Sequence, residues 1–239
     1  MKWESNISKK RGTNSMKMSN VERRDKELVY ISDDEVFEEQ KIARRLTQKL
    51  NTVDRADFDS IKEIVKELLG KTEGDAFINP PFYCDYGSHI EVGKNFFANY
   101  NCTMLDVGRI RIGDNVQLAP NVAIYTAGHP VHPATRNTLY EYGIDVTIGN
   151  NVWIGGNVVI CPGVTIGDNT VIGAGSVVTK DIPAWTVAAG NPCRVIREIT
   201  EADRNKQFAG REIDEEAWQD ILRIQKEEND IEKYPIAKK

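Results

Sequence analysis

Three histidines, His89, His129 and His132, are the side chains best matched to proton transfer near neutral pH, because unperturbed imidazole titrates near ~6.5. His129 lies in Gly128-His129-Pro130-Val131-His132-Pro133. An imidazole held there can act as a general base, an effect worth roughly 10²–10⁴ in rate; a turn histidine ahead of a proline is the alternative. His132, three residues on, reads as loop surface. A histidine base needs a group on its second nitrogen to set tautomer and orientation. Glu141, in Tyr140-Glu141-Tyr142 and twelve residues past His129, is the candidate, with a solvated loop carboxylate as the alternative. The four cysteines, Cys84, Cys102, Cys161 and Cys193, are far apart and form no C-x-x-C. They read as reduced, buried thiols rather than a disulfide frame or zinc site. No G-x-x-x-x-G-K-[ST] occurs, which excludes a P-loop.

The element that must position these groups is a repeat. Ile148, Ile154, Ile160, Ile166, Ile172 and Val178 fall every sixth residue, and Val152, Val158, Val164, Thr170 and Ser176 stand four places after the first five. Helices repeat near 3.6 and strands near 2, so a strict six marks a β-solenoid, one short strand and one corner per hexad. Gly149-Asn150-Asn151, Gly155-Gly156-Asn157 and Gly167-Asp168-Asn169 supply corner residues tolerant of positive φ. The same pattern begins at Val92-Gly93-Lys94-Asn95, runs through Ala98 and Met104, slips between about Asp106 and Ile110, and resumes through Ile112, Leu118 and Ile124. Gly149 and Gly167 are 18 residues apart, one triangular coil, whereas Gly113 and Gly149 are 36 apart. Residues 128–145 are therefore expected as a loop thrown out of the solenoid, an extra irregular coil being the alternative. Long loops on rigid scaffolds tend to be functional.

Residues 1–20 are polar and are expected to be a disordered extension. A helical cap is expected over 21–76. Its first helix opens on a Ser32/Glu35 capping box, carries Ile42, Leu46 and Leu50, and ends at Asn51; its second runs from about Asp57 to Leu69, with Gly70 past its end. The solenoid should occupy 77–200, decaying after Lys180 at Pro183 and Pro192, with Arg194 to Glu198 as a possible last strand. A charged helical tail over 201–239 follows. Val152, Trp153, Val159, Cys161 and Val164 leave the exposed side of the late hexads poor in charge, which points to a covering partner subunit. A formal charge of -5 predicts no bulk affinity for nucleic acid or anionic membrane. No apolar run approaches the ~20 residues of a membrane span, and Met1 to Asn20 has no apolar signal core. A cytoplasmic protein is expected.

Several segments together resemble the hexapeptide-repeat acyltransferases, and among them the maltose and galactoside O-acetyltransferases. They are Asp85-Tyr86-Gly87, Asn95-Phe96-Phe97-Ala98-Asn99-Tyr100-Asn101, Thr126-Ala127-Gly128-His129-Pro130, Arg136-Asn137, Val152-Trp153-Ile154-Gly155 and Gly190-Asn191-Pro192-Cys193-Arg194-Val195-Ile196, with Leu28-Val29-Tyr30 leading into the cap. The likeness covers about residues 21–200. It implies a mainly β fold, a left-handed parallel β-helix with an N-terminal helical cap and a C-terminal helical tail. It also implies acetyl-CoA-dependent O-acetylation of a sugar hydroxyl, with no metal, in a homotrimer whose sites lie at subunit clefts. There His129 of one chain would meet the late-coil groove of another.

Residue by residue, the resemblance makes His129 the base and Asn99 a ligand of the acceptor hydroxyls, with Asp85 and Asp106 completing the sugar site. Relatives carry an acidic residue at the place of Asp106 or one later, here Val107, and galactoside enzymes carry serine where Asp85 stands, which favours a maltose- or glucose-type acceptor. Trp153 would line the cleft, and a backbone N–H at Gly156 would serve the thioester oxygen. Ala174, Thr179 and Lys180 follow on the next coils, where Gly173-Ala174-Gly175-Ser176 leaves room for a pantetheine arm. Lys180, Arg194 and Arg197 would meet the CoA phosphates; solvated surface is the alternative for Lys180 and Arg197. Direct transfer in a ternary complex is expected, since no cysteine lies beside His129 in sequence. The competing readings are three: a zinc enzyme on the same solenoid, the same chemistry on another acceptor such as an oligosaccharide, and a non-catalytic scaffold. The uneven histidine spacing argues against zinc; Asn99, His129 and Trp153 argue against the scaffold.

Overall fold

The computed structural model describes residues 18–227, and in it the hexads stack in phase. Ile148, Ile154 and Ile160 pair in parallel with Ile166, Ile172 and Val178. Each pair belongs to a different sheet, so one hexad is one face and three make a coil. The three sheets hold five, seven and five strands. They are parallel except for Arg194–Glu198, which folds back antiparallel on Thr186–Ala189. The inward columns are buried from Ile78 and Val92 to Val178, Ile182 and Ala188. Burying an isoleucine or valine contributes about 1.5–3 kcal/mol. Val152, Val158, Val164, Thr170 and Ser176 are buried as well, under the corners. This differs from the expectation for Val152 and Val164, which face the core; the outward residues of that stretch are Trp153, Val159 and Cys161.

At the corners the two tolerant residue types divide the work. Asn95, Asn115, Asn151 and Asn169 take the left-handed conformation, with φ between 56° and 57°, and their amides form a ladder with steps of 2.8–2.9 Å. Gly149 serves close approach instead: a Cβ there would lie 2.1 Å from Asp168 Oδ1, which accepts the Asn150 N–H at 2.7 Å.

Stacking begins before Phe77. Lys71–Thr72 and Ala76–Ile78 already pair with Ile90–Val92 and Phe96–Ala98. It also outlasts Pro183, because Ile182 bridges to Ile166 and Thr186–Ala189 pairs with Val171–Ile172. Arg194–Glu198 is the last strand, as the spacing allowed.

Helix α1 (Asn20–Asp25), closed by a Ser19/Glu22 capping box, was outside the expected pattern. Helix α2 (Asp34–Thr52) is capped by Asp33, not Ser32, because the Asp33 side chain reaches the Val36 N–H. Its buried face is Val36, Ala43, Thr47 and Leu50, so Ile42 stands outside at 59 % exposure. Asn51 stays helical and docks α2 onto the first coil, bracketing Phe82 with hydrogen bonds of 2.9 and 2.8 Å to its carbonyl and N–H. Helix α3 (Phe58–Leu68) buries Ile61, Ile64, Val65 and Leu68 as expected, with Asp57 as its cap. Gly70 is needed for close approach: its Cβ would fall 2.0 Å from the Ser88 carbonyl oxygen.

Strand Val146–Ile148 stacks directly on Ile110–Ile112, so the residues between Tyr125 and Val146 leave the solenoid as a loop rather than adding a coil. The loop holds the short helix α4 (Pro133–Arg136). The tail forms two 3-10 turns and helix α5 (Glu215–Glu227). Trp218, Ile221 and Leu222 are half-buried, while Phe208 and Ile224 are exposed. Most of the expected N-terminal extension and the end of the tail lie outside the described residues.

Candidate active site

The loop carrying His129 is a hairpin with a built stem. Ala127 pairs with Gly143 and Gly128 with Tyr142, antiparallel. The paired stem ends there, and His129 and Glu141 are the next residues of its two strands. Gly128 lies close under Tyr142: a Cβ there would meet the ring at 2.6 Å, and the ring would have to shift. The stem is bolted to the solenoid by buried Thr126, whose hydroxyl donates to the Leu105 carbonyl at 2.6 Å and accepts the Gly108 N–H at 2.8 Å. At the tip, His132 caps α4 by accepting the Ala134 N–H at Nδ1, 3.2 Å away. His129 is exposed and makes no hydrogen bond among the described residues.

Glu141 is held from its other side by the cap. Its N–H and carbonyl exchange bonds of 3.0 and 2.9 Å with the backbone of Tyr30, and Oε1 accepts the Ser32 hydroxyl proton at 2.6 Å. Tyr30 itself is fully buried, its hydroxyl unpartnered among the described residues.

An acidic corner lies alongside. Asp106 is completely buried. Its Oδ1 accepts the backbone N–H groups of Asp85 and Tyr86 at 2.8 and 2.9 Å, while Oδ2 is buried without a partner among the described residues. Burial pushes its carboxyl above the usual range. The buried Asp106 side chain shapes the corner that presents Asp85. Burial first, then the charges of Asp106 and Glu141, lift Asp85 to about 6, against a pull downward from Arg44. His89 donates from Nδ1 to the Asp106 carbonyl at 2.8 Å and stacks on Tyr86. Asn99 is half-buried, and its Oδ1 accepts the Tyr100 N–H at 2.8 Å.

The second set of residues lies along the late coils. Trp153 stands outward, 55 % exposed, between Gln117 and Val171 of neighbouring rungs. The Gly156 N–H has no hydrogen-bond partner among the described residues, and a Cβ there would touch only the Pro120 carbonyl, at 3.3 Å. Ala174, Thr179, Lys180 and Arg194 are exposed. Of the small run at 173–176, only Ala174 and Gly175 face out; Ser176 is buried and bonded to the Gly173 carbonyl. Arg197 is engaged by Asp203 in a bidentate pair of 2.9 and 2.8 Å.

One chain thus gathers Glu141, Asp85 and Asp106 beside the stem of His129, with Trp153 to Arg197 on a separate set of coils. Sequence reasoning missed Ser32, Tyr30 and Thr126. Thr126 left a signal inside the Thr126-Ala127-Gly128-His129-Pro130 segment, Tyr30 inside Leu28-Val29-Tyr30, and Ser32 only as a helix cap. No group of three His, Cys, Asp or Glu side chains among the described residues is arranged to hold a metal ion.

A parallel β-helix of hexads that throws out a histidine-bearing hairpin and leaves small residues outward on its late coils defines a hexapeptide-repeat transferase. Residues 145–180 match the family model described as bacterial transferase hexapeptide (six repeats), and residues 26–74 match the maltose acetyltransferase hexapeptide capping motif. The galactoside O-acetyltransferase of Escherichia coli is 44 % identical over 165 residues, 69 % of this chain and 81 % of that one. A solved galactoside acetyltransferase in complex with coenzyme A is similar at TM-score 0.80 and 43 % identity, over 82 % of this chain and 99 % of that one. A maltose O-acetyltransferase from Clostridium difficile is similar at TM-score 0.71 and 49 % identity, over 77 % of this chain and 99 % of that one. The chain belongs to the maltose and galactoside O-acetyltransferase family.

Proposed function

We infer that this protein moves the acetyl group of acetyl-CoA to a hydroxyl of a maltose-, glucose- or galactoside-type sugar. The observation that supports the reading is the paired hairpin stem, beyond which the next residues of the two strands are an exposed, unpartnered His129 and Glu141, beside the acidic corner. His129 takes the proton of the attacking hydroxyl, and Glu141 holds the other ring nitrogen and steadies the imidazolium. The sugar oxygen adds to the thioester carbonyl, whose developing negative charge meets the free Gly156 N–H. The intermediate collapses, the carbon–sulfur bond breaks, and the imidazolium returns its proton to the departing thiolate. Asn99 and Asp85 hold neighbouring hydroxyls. Trp153, Ala174 and Thr179 line the cofactor groove, and Lys180, Arg194 and Arg197 meet the CoA phosphates.

Transfer is direct. Desolvation pushes up the pKa of the half-buried Cys84 and the buried Cys102, Cys102 to about 11, and both make poor nucleophiles. All four cysteines are free, which supports a reducing, cytoplasmic setting; no described helix is long and apolar enough to cross a membrane.

The working unit is a homotrimer. A closed ring of three uses two different faces of each subunit. The outward residues of two solenoid faces are largely apolar, with Phe77, Phe97, Trp153, Val171 and Val187 on one and Tyr83, Ala123, Val159 and Val177 on the other. The third carries Lys71, Glu91, Arg111, Thr147 and Thr165. The His129 hairpin and the groove of the late coils then meet across a subunit cleft.

The test is thiol release from acetyl-CoA against a panel of glucose, maltose, galactosides and glucosamine with a no-sugar blank, for the wild type and His129→Ala. Sugar-dependent release that falls by roughly 10²-fold or more in the variant is expected. Release on none of the sugars, with coenzyme A still bound, would redirect the reading to another acceptor such as an oligosaccharide.

A further inference from the structure

We propose that the N-terminal cap belongs to the catalytic apparatus: Ser32, on the segment anchored by Tyr30, is a positioning residue that holds Glu141 where His129 needs it. This rests on the reading in which Glu141 orients His129. Ser32 is 109 residues from Glu141 in the chain, yet its hydroxyl donates to Glu141 Oε1 at 2.6 Å. The length is that of a charge-assisted O–H···O⁻ bond. The Ser32 hydroxyl is free for this because Asp33 does the capping of α2. The segment cannot drift, since Tyr30 is fully buried and shares two main-chain hydrogen bonds with Glu141. The buried Tyr30 hydroxyl lies near the same carboxylate, so the cap approaches Glu141 with both Ser32 and Tyr30.

The neighbourhood explains why a clamp is needed. The Asp85 carboxyl lies close enough to Glu141 to be raised by its charge, and Asp106 adds to the same corner. Like charges push a flexible glutamate outward, and a glutamate side chain has several rotamers to lose when it is fixed. A hydroxyl donor from the cap opposes both effects. Misplacement of a catalytic group by about 1 Å costs up to ~10²-fold in rate, so a clamp on the orienting carboxylate acts on kcat.

The experiment compares Ser32→Ala, Ser32→Thr, Glu141→Ala and the double variant Ser32→Ala/Glu141→Ala in the full chain, reading kcat, KM for both substrates, and Tm. Ser32→Ala is expected to lower kcat about tenfold, as loss of a hydrogen bond to a charged group does, with both KM values and Tm unchanged. Ser32→Thr, which keeps the hydroxyl, restores the rate. In the Glu141→Ala background Ser32→Ala costs nothing further. A rise in sugar KM instead of a fall in kcat, failure of threonine to rescue, or losses that multiply in the double variant overturns the proposal. Undiminished kcat in Glu141→Ala overturns the reading of Glu141 and the clamp with it. A slow Glu141→Ala beside a wild-type-like Ser32→Ala overturns the clamp alone.

Discussion

Asp106 Oδ1 accepts the backbone N–H of Asp85 at 2.8 Å, so a carboxyl that never meets solvent aims one that does. The arrangement has a cost in charge. Asp85 rises from 3.8 to about 6 in the folded chain, through burial and the neighbouring Asp106 and Glu141. The folded state therefore binds the Asp85 proton more tightly than the unfolded state. Stability falls as pH rises between about 4 and 6, and the full penalty is present above that range.

Asp85→Asn mimics the protonated form and is expected to raise stability at pH ~8 by about 1–2 kcal/mol after allowance for solvent screening, or a few degrees in Tm. At pH ~4 the gain should nearly vanish. Thermal unfolding at the two pH values checks this. A loss at the higher pH would mean that the charge of Asp85 is compensated in the assembled protein.

The hairpin stem makes a second demand. A Cβ at Gly128 would lie 2.6 Å from the Tyr142 ring, directly before His129. Gly128→Ala should displace the histidine and lower kcat by about 10–10²-fold, while the stacked core keeps Tm within a few degrees. Gly128→Ala/Tyr142→Ala, with the ring removed, should recover part of the rate. Steady-state kinetics of both variants decide; a double variant as slow as the single one would remove the ring from the explanation.

The solenoid was legible because its period belongs to no other element. Ile148 through Val178 step by six, and each step is a face, so the columns follow from counting. The hairpin was legible from a missing coil's worth of stacking between Gly113 and Gly149. What counting does not supply is direction at a corner. Val152 and Val164 are apolar and were expected outside, but the corner geometry turns them inward. Asp106 was expected in the sugar site, and counting gives no hint of its full burial or of the two backbone N–H groups it accepts from Asp85 and Tyr86. Ser32 and Asp33 both fit a helix cap at one-residue offset, and only the fold shows that Asp33 takes the cap and Ser32 crosses to Glu141. The phase of the first coil was blurred because Lys71–Thr72 and Ala76–Ile78 are short and follow a helix.

The stacked columns should carry most of the stability. Ile154 is fully buried between Leu118 and Ile172, with Trp153 beside it facing out. Ile154→Ala is expected to cost about 2–5 kcal/mol, because the rigid rungs on both sides cannot close the cavity. Trp153→Ala, which leaves the inward column intact, should change Tm less and act mainly on KM for acetyl-CoA. Calorimetry beside initial-rate kinetics separates the two effects; equal destabilisation by both would show that the outer face of this rung is as tightly covered as the inner one.

Arg197 offers the sharpest test of how the cofactor's charge is met. It is held by Asp203 through bonds of 2.9 and 2.8 Å on the protein surface. Pairs of this kind contribute only about 0–1 kcal/mol, so a phosphate can share or displace the carboxylate at small cost. Arg197→Ala should therefore leave Tm nearly unchanged and raise KM for acetyl-CoA about threefold to tenfold, an effect that shrinks as salt is added. Asp203→Ala frees the guanidinium and should move KM the other way. If Arg197→Ala leaves KM alone while Asp203→Ala lowers Tm, the pair is a brace for the turn at Glu201–Asp203, and the phosphates are held by Lys180 and Arg194 without it.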